Sequence, residues 1–127
     1  MTNPGQAHWV ALKMVLRYLK GTASYGLKYQ RREGDDDGIL VGFTDADYAK
    51  CLDIRKSLSG YCFILHGNLV SWRCHLQQVV ALSTTESEFM AAIACFKEAL
   101  WLQGLLEELG VKSRPTLIDP CAVSLVA

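Results

Sequence analysis

Proline is scarce in this chain, with three in 127 residues, and half of the residues are hydrophobic. That excludes a disordered or linker-like polypeptide, because enough apolar surface is available to offset the entropy of ordering. No charge of one sign dominates: 13 Lys and Arg balance 13 Asp and Glu. Net charge therefore argues neither for nucleic acid nor for a membrane surface. Cys51, Cys62, Cys74, Cys95 and Cys121 stand singly, with no C-x-x-C pair. An odd, unspaced set suggests neither a disulfide framework nor a zinc site, and reduced intracellular thiols are expected. His66, Cys74 and His75 could approach one another, yet follow no ligand spacing. There is no leader-like segment and no apolar run long enough to span a bilayer. A cytoplasmic or nuclear location, without secretion and without a membrane partner, is expected. No G-x-S-x-G occurs, and His8, His66 and His75 have no partnered serine, so a Ser-His-Asp hydrolase is not indicated. The phosphate-cradling G-x-x-x-x-G-K-[ST] loop is also missing.

What is present amounts to one domain, large enough to bury roughly two-thirds of its unfolded surface. Lys13, Arg17, Lys20, Lys28, Arg31 and Arg32 make the first quarter basic, and Asp35, Asp36, Asp37, Asp45, Asp47 and Asp53 make the next stretch acidic. Both runs are read first as solvated surface. Asn3-Pro4 reads as an N-cap followed by Pro at the first helical position. Trp9, Leu12, Val15, Leu16 and Leu19 then recur at helical spacing until Gly21, giving a basic amphipathic helix. Residues 25–30 form a short strand candidate and residues 31–38 a polar loop. Residues 39–47 read as a strand ending in two acids, and residues 60–65 alternate as a second strand. Gly67-Asn68 supplies a hairpin turn, 69–72 returns, and 79–82 is a further extended piece. A long helix from Ser83 to Gly110, a strand over 115–119 and a helix after Pro120 complete the order. The expected core is Phe89, Ile93, Phe96 and Leu100 on the long helix, with Trp72 and Trp101. The fold class is mixed α/β, a mixed sheet flanked by helices.

The stretch Ser83-Thr84-Thr85-Glu86-Ser87-Glu88 carries the sharpest signal. Ser83 with Glu86 three residues on is a capping box, which assigns Glu86 to the helix start. Glu88 lies about 200° around the helix from Glu86 and has no such duty. It shares an otherwise apolar face with Ala92 and Cys95. A carboxylate there requires a partner, since burying an unpaired charge is costly.

Asp45 and Asp47 share one face of a strand by its period of two, where an apolar run meets a loop. Asp119 ends another strand in the same manner. With Glu88, these acids sit at the ends of three elements and can converge. Converging carboxylates repel, and their hard oxygens suit Mg²⁺ or Mn²⁺. Two such ions about 4 Å apart serve in-line phosphoryl displacement. The alternative stays open that Asp45 and Asp47 begin a turn and Asp119 caps a helix.

Larger blocks of sequence make a resemblance. Phe43-Thr44-Asp45-Ala46-Asp47-Tyr48-Ala49, Arg55-Lys56-Ser57-Leu58-Ser59-Gly60-Tyr61, Ser71-Trp72, Ala81 to Ala91, Glu98-Ala99-Leu100-Trp101-Leu102 and Leu105-Leu106-Glu107-Glu108-Leu109-Gly110 stand in this order. Together they closely resemble the ribonuclease H region of copia-type retrotransposon Pol polyproteins. Asn3 to Trp9 and Leu16 to Thr22 resemble the segment that joins a reverse transcriptase to that region. The resemblance implies a connecting helix over 1–24 and a ribonuclease H-like domain, with a five-stranded mixed sheet, over 25–127. It implies hydrolysis of the RNA strand of an RNA–DNA hybrid at a two-metal Mg²⁺ or Mn²⁺ site, with a reverse transcriptase upstream.

Residue by residue, the resemblance places catalytic, metal-holding acids at Asp45, Glu88 and Asp119. Weaker nucleic-acid contacts are expected at Asp47, Tyr48, Lys56 and Arg73. Three departures stand out. Asp119 is followed by Pro120-Cys121 where the family has Asn-Gln. His75 and Leu76 replace two lysines. The family's fourth acid lies beyond Ala127, so an incomplete domain is expected. These departures support an alternative: a catalytically inactive, retrotransposon-derived remnant or nucleic-acid-binding module, using Lys13, Arg17, Lys20, Arg31 and Arg32.

Overall fold

Residues 39–47 alternate in burial, with Leu40, Gly42 and Thr44 turned inward. A strand with one face on a core produces this pattern. The computed structural model describes residues 3–30, 38–111 and 114–119. Its elements are α1 (Gln6–Gly21), β1 (Ile39–Asp47), β2 (Leu58–Leu65), β3 (Asn68–Leu76), α2 (Thr84–Glu108) and β4 (Arg114–Asp119). The sheet order is β3-β2-β1-β4. β1 pairs antiparallel with β2, β2 antiparallel with β3, and β1 parallel with β4. α2 lies against β1 and β2, and more lightly against β4. This is the expected ribonuclease H-like arrangement, with four strands among the described residues. The polar loop at 31–38, except Gly38, and the helix expected after Pro120 lie outside them.

The core joins Leu40 of β1, Tyr61 and Phe63 of β2, and Cys95, Ala99, Leu102 and Leu106 of α2. Tyr61 and Phe63 meet edge to face, ring centroids 5.8 Å apart at 65°. Gly42 lies under this pair. A Cβ built there would stand 2.6 Å from a Phe63 ring carbon, so the missing side chain is what lets the ring pack flat on β1.

The expected core on α2 is wrong in its face. Phe89, Ile93, Phe96 and Leu100 are exposed, and so are Trp72 and Trp101. The buried face is Ser87, Ala91, Cys95, Ala99, Leu102 and Leu106. The sheet already projects Tyr61 and Phe63 into the gap, so the helix approaches with its small residues, as close packing requires. α2 is also long and apolar enough by length and composition to cross a bilayer, contrary to the sequence reading. Its face of Ser87, Ala91, Cys95, Ala99, Leu102 and Leu106 packs on the sheet, and the apolar stretch is 28% buried.

Other boundaries shift for local reasons. The β2–β3 turn is centred on His66 and Gly67, with φ of 50° and 71°, and Leu65 faces Asn68. Positive φ at both central residues matches the twist of a two-residue hairpin. Residues 25–30 do not join the sheet. Instead Gln30 N–H donates to Asn68 Oδ1 at 2.8 Å, and Asn68 Nδ2 donates to Gln30 O at 3.0 Å, so one amide side chain replaces a strand ladder. Residues 79–82 are not a strand either; Val79, Val80 and Leu82 are exposed. The N-cap of α1 is Gly5 rather than Asn3, and His8 Nδ1 accepts from Gly5 N–H at 3.0 Å. No α1 residue is buried, and its apolar stripe of Trp9, Leu12, Val15, Leu16 and Leu19 is exposed.

The start of α2 follows the capping expectation with one change. Ser83 Oγ accepts from Glu86 N–H at 3.1 Å, while the Glu86 carboxylate accepts from Leu82 N–H at 2.6 Å, one residue further back than a capping box. Ser83→Ala should cost about 1 kcal/mol, read as a lower urea midpoint at unchanged m-value.

Candidate active site

β1 carries Asp45 and Asp47 at its open end, opposite Gly60 and Leu58 of β2. Both are exposed. Asp47 pairs with Lys50 at 2.8 Å, and this hydrogen bond and charge raise the Lys50 pKa. The pair is solvated, so it adds little stability; it does commit Asp47 to a neighbour on its own turn. Thr44, buried beside Asp45, donates from Oγ1 to Gly60 O at 3.3 Å and pins the strand end.

Glu88 projects from the second turn of α2. Asp45 and Glu88 line one cleft of about 270 Å³, with Thr44, Thr85, Phe89 and Ala92. Glu86 holds the helix end, and Glu88 lines the same cleft as Asp45; it is exposed, so the buried carboxylate expected from its apolar neighbours is not found, because the buried face of α2 runs through Ser87, Ala91 and Cys95 instead. Asp119 ends β4, level with Phe43 in the parallel register, two residues short of Asp45, and is half-buried. Among the described residues no three His, Cys, Asp or Glu side chains are grouped closely enough to hold a metal ion. Asp45 and Glu88 line one cleft, while Asp119 stands on the neighbouring strand outside that lining, so the three expected acids do not form one group among the described residues. The lining of this cleft holds two carboxylates and no sulfur or imidazole.

The weaker contact residues scatter. Tyr48, in the turn after β1, is 39% exposed and is not among the lining residues of the cleft. Lys56 is half-buried in the turn before β2, its carbonyl accepting from Cys51 N–H at 3.1 Å. Arg73 lies on β3 opposite Tyr61. With Asp45, Asp47, Trp72 and Cys74 it lines a second cleft of about 390 Å³. Asp45 is the acid shared by both clefts. Arg31, Arg32 and Cys121 lie outside the described residues.

His66, Cys74 and His75 do not gather. His66 is in the β2–β3 turn, while His75 pairs with Ser59 at the other end of the hairpin. Burial and the Arg73 charge lower the His75 pKa. Behind the cleft, Glu98 of α2 accepts from Ser71 Oγ at 2.7 Å and from Tyr61 O–H at 3.3 Å. Burial first, then the Glu98 charge, raises the Tyr61 pKa.

Sequence reasoning missed a buried polar group beneath the site. Ser57 Oγ accepts from Ala49 N–H at 3.0 Å, and Gln77 Nε2 donates to Ser59 Oγ and to Ser87 O, both at 2.8 Å. One signal was available: Ser57 and Ser59 alternate in phase with Tyr61 and Phe63, which places them on the inward face.

Cys95 is fully buried, and burial first, then the charges of Cys62 and Glu98, pushes its thiol to about 11. Alkylation at pH 8 should label exposed Cys74 rapidly and spare Cys95 until the chain unfolds. The unfolded thiol ionises near 9.0 and the folded one near 11. The unfolded state then binds fewer protons, so this group lowers stability as pH rises from 9 through 11.

No family model matches the chain. Over 118 residues, 93% of its length, it is 46% identical to the retrovirus-related Pol polyprotein from transposon TNT 1-94 of Nicotiana tabacum, covering 9% of that protein. Over 119 residues it is 36% identical to the retrovirus-related Pol polyprotein from transposon RE2 of Arabidopsis thaliana, covering 8%. Over 101 residues, 80% of the chain, it is 48% identical to secreted RxLR effector protein 161 of Plasmopara viticola, covering 69% of it. The chain thus spans under a tenth of the polyproteins it matches. Among solved structures, the catalytic domain of human endonuclease V aligns with 91% of this chain and 48% of its own, at 13% identity and a TM-score of 0.38. On the sequence matches, nearly the whole chain is homologous to one region of the retrovirus-related Pol polyproteins of plant transposons.

Proposed function

We propose that this chain is the ribonuclease H region of a copia-type Pol polyprotein, and that its reaction is hydrolysis of the RNA strand of an RNA–DNA hybrid. The observation that carries this is the cleft shared by Asp45 and Glu88, at the end of β1 in a sheet of the ribonuclease H-like order. Asp45 and Glu88 would hold Mg²⁺ or Mn²⁺, with Asp119 as the third ligand. Such an ion neutralises the charge on the attacking and leaving oxygens of a phosphodiester. The chain's own part is to fix the ligands: Thr44 ties the end of β1 to Gly60, and the Ser83 cap fixes the helix turn that presents Glu88. The 2′-hydroxyl distinguishes the RNA strand from DNA. An intracellular setting, without secretion or a membrane partner, and an upstream reverse transcriptase reached through residues 1–24, belong to the same reading. The Plasmopara relative is, by its name, a secreted protein.

The test is cleavage of an end-labelled hybrid by the purified chain in Mg²⁺ and in Mn²⁺, beside duplex DNA. RNA-strand products from the hybrid alone support the reading. A folded chain that yields none in either metal sinks it. One observation favours the second reading, an inactive binding module: no three-ligand group forms among the described residues. That reading expects hybrid binding that weakens steeply with salt, carried by Lys13, Arg17 and Lys20 of the exposed helix α1, and no turnover.

A further inference from the structure

Gln77 follows β3 directly and looks, in sequence, like a surface residue. It is 3% exposed, and glutamine is seldom so deeply buried. Its backbone N–H donates to Ser57 O at 2.9 Å. Its Nε2 donates at 2.8 Å to Ser59 Oγ on β2 and at 2.8 Å to Ser87 O in the first turn of α2. Ser59 stands opposite Ala46, between Asp45 and Asp47. Ser87 immediately precedes Glu88. One amide nitrogen therefore bridges the start of β2, which is paired with the end of β1 that carries Asp45, and the helix turn that precedes Glu88. Ser57 extends the tie, because its Oγ accepts from Ala49 N–H at 3.0 Å and so holds the turn after Asp47.

The other end of the same side chain argues that this is no ordinary core contact. Gln77 Oε1 is buried with no hydrogen-bond partner among the described residues. An unpaired buried acceptor costs stability, so an apolar side chain of the same size would serve the core better. An apolar side chain could not fix two groups at hydrogen-bond length.

We propose that Gln77 is a positioning residue that clamps the first turns of α2 to the end of β2, and so sets Glu88 against Asp45. The clamp stands on the hydrogen bonds alone; its value for a metal-binding cleft rests on the ribonuclease H reading. Residues that orient metal ligands without touching the ion typically change affinity by about 10- to 100-fold when altered.

The experiment compares the full chain with Gln77→Met, which keeps the volume and removes both side-chain donors. Amide hydrogen exchange is followed along α2, and Mn²⁺ affinity is measured from the free-ion electron paramagnetic resonance signal. Exchange at Glu88 and Phe89 should quicken about tenfold, with Cys95 to Leu106 unchanged. Mn²⁺ binding should weaken by about 10-fold or more. Uniform acceleration along the helix, or none, overturns the clamp. Local acceleration with unchanged Mn²⁺ affinity overturns its link to Glu88. Should Gln77→Met fail to fold, Ser59→Ala removes one anchor and should show a smaller local acceleration, which Ser59→Thr should reverse. A wild-type chain that binds no Mn²⁺ counts against the ribonuclease H reading, and the exchange pattern then decides the clamp by itself.

Discussion

Glu88→Gln should abolish hybrid cleavage while Glu86→Gln leaves it close to wild type. The two residues are neighbours on one helix start and chemically identical, so the contrast isolates position. The Glu86 carboxylate accepts from Leu82 N–H at 2.6 Å; its neutral amide loses a favourable charge at a helix N-terminus, about 0.3–1 kcal/mol. The Glu88 carboxylate lines the cleft with Asp45. If it holds an ion that stabilises developing charge by several kcal/mol, its loss slows turnover by about a hundredfold or more, at about 1.4 kcal/mol per decade. Asp45→Asn should do the same, and the pair should cost little more than either alone, as residues that act as a unit do. The checks are initial rates on labelled hybrid and thermal midpoints, which should be nearly unchanged for Glu88→Gln. Retained cleavage in Glu88→Gln, or equal loss in Glu86→Gln, would remove Glu88 from the site.

The largest expected stability effect lies at Phe63. The residue is fully buried, packs edge to face on Tyr61 and covers Gly42. Phe63→Ala removes a ring from the centre of the core and should cost about 3–5 kcal/mol. That is a large part of the 5–15 kcal/mol typical of a domain, so most of the cooperative unfolding transition should vanish at 37 °C. The same packing makes an unusual prediction for Gly42→Ala. The new methyl would stand 2.6 Å from the ring, so the ring must move and the change should cost about 1–3 kcal/mol as overpacking. Joined with Phe63→Leu, Gly42→Ala should cost less than the two changes summed, because the contact that strains it has gone. Urea denaturation of the four chains measures the coupling. Strict additivity would show that the ring can step aside at no cost.

The parts of this fold that local chemistry determines were legible. β1 spans the nine residues expected, because an apolar alternation runs into two acids. α2 begins after Ser83, because the cap is written in side chains within three residues of it. The same cap separated the capping Glu86 from Glu88, which lines the cleft with Asp45. What could not be read was anything decided by a partner surface. Helical spacing selected Phe89, Ile93, Phe96 and Leu100, yet the sheet fills its own gap with Tyr61 and Phe63 and accepts Ala91, Cys95 and Ala99 instead. The shape of the sheet is not encoded in the helix that meets it. Gln77 was invisible for the same reason, since its three hydrogen bonds reach residues 10 to 20 places away in sequence. Residues 25–30 had the composition of a strand, but a single asparagine side chain took the place of the neighbour they needed.

Phe89, Ile93, Phe96 and Leu100 remain 40 to 65% open to water along one side of α2. A contiguous apolar strip of this kind makes colloidal behaviour, rather than folding stability, the property that limits the chain in solution. Excluded salts such as sulfate strengthen the tendency of such surface to leave water, so the chain should precipitate early in ammonium sulfate and stay dispersed in dilute urea.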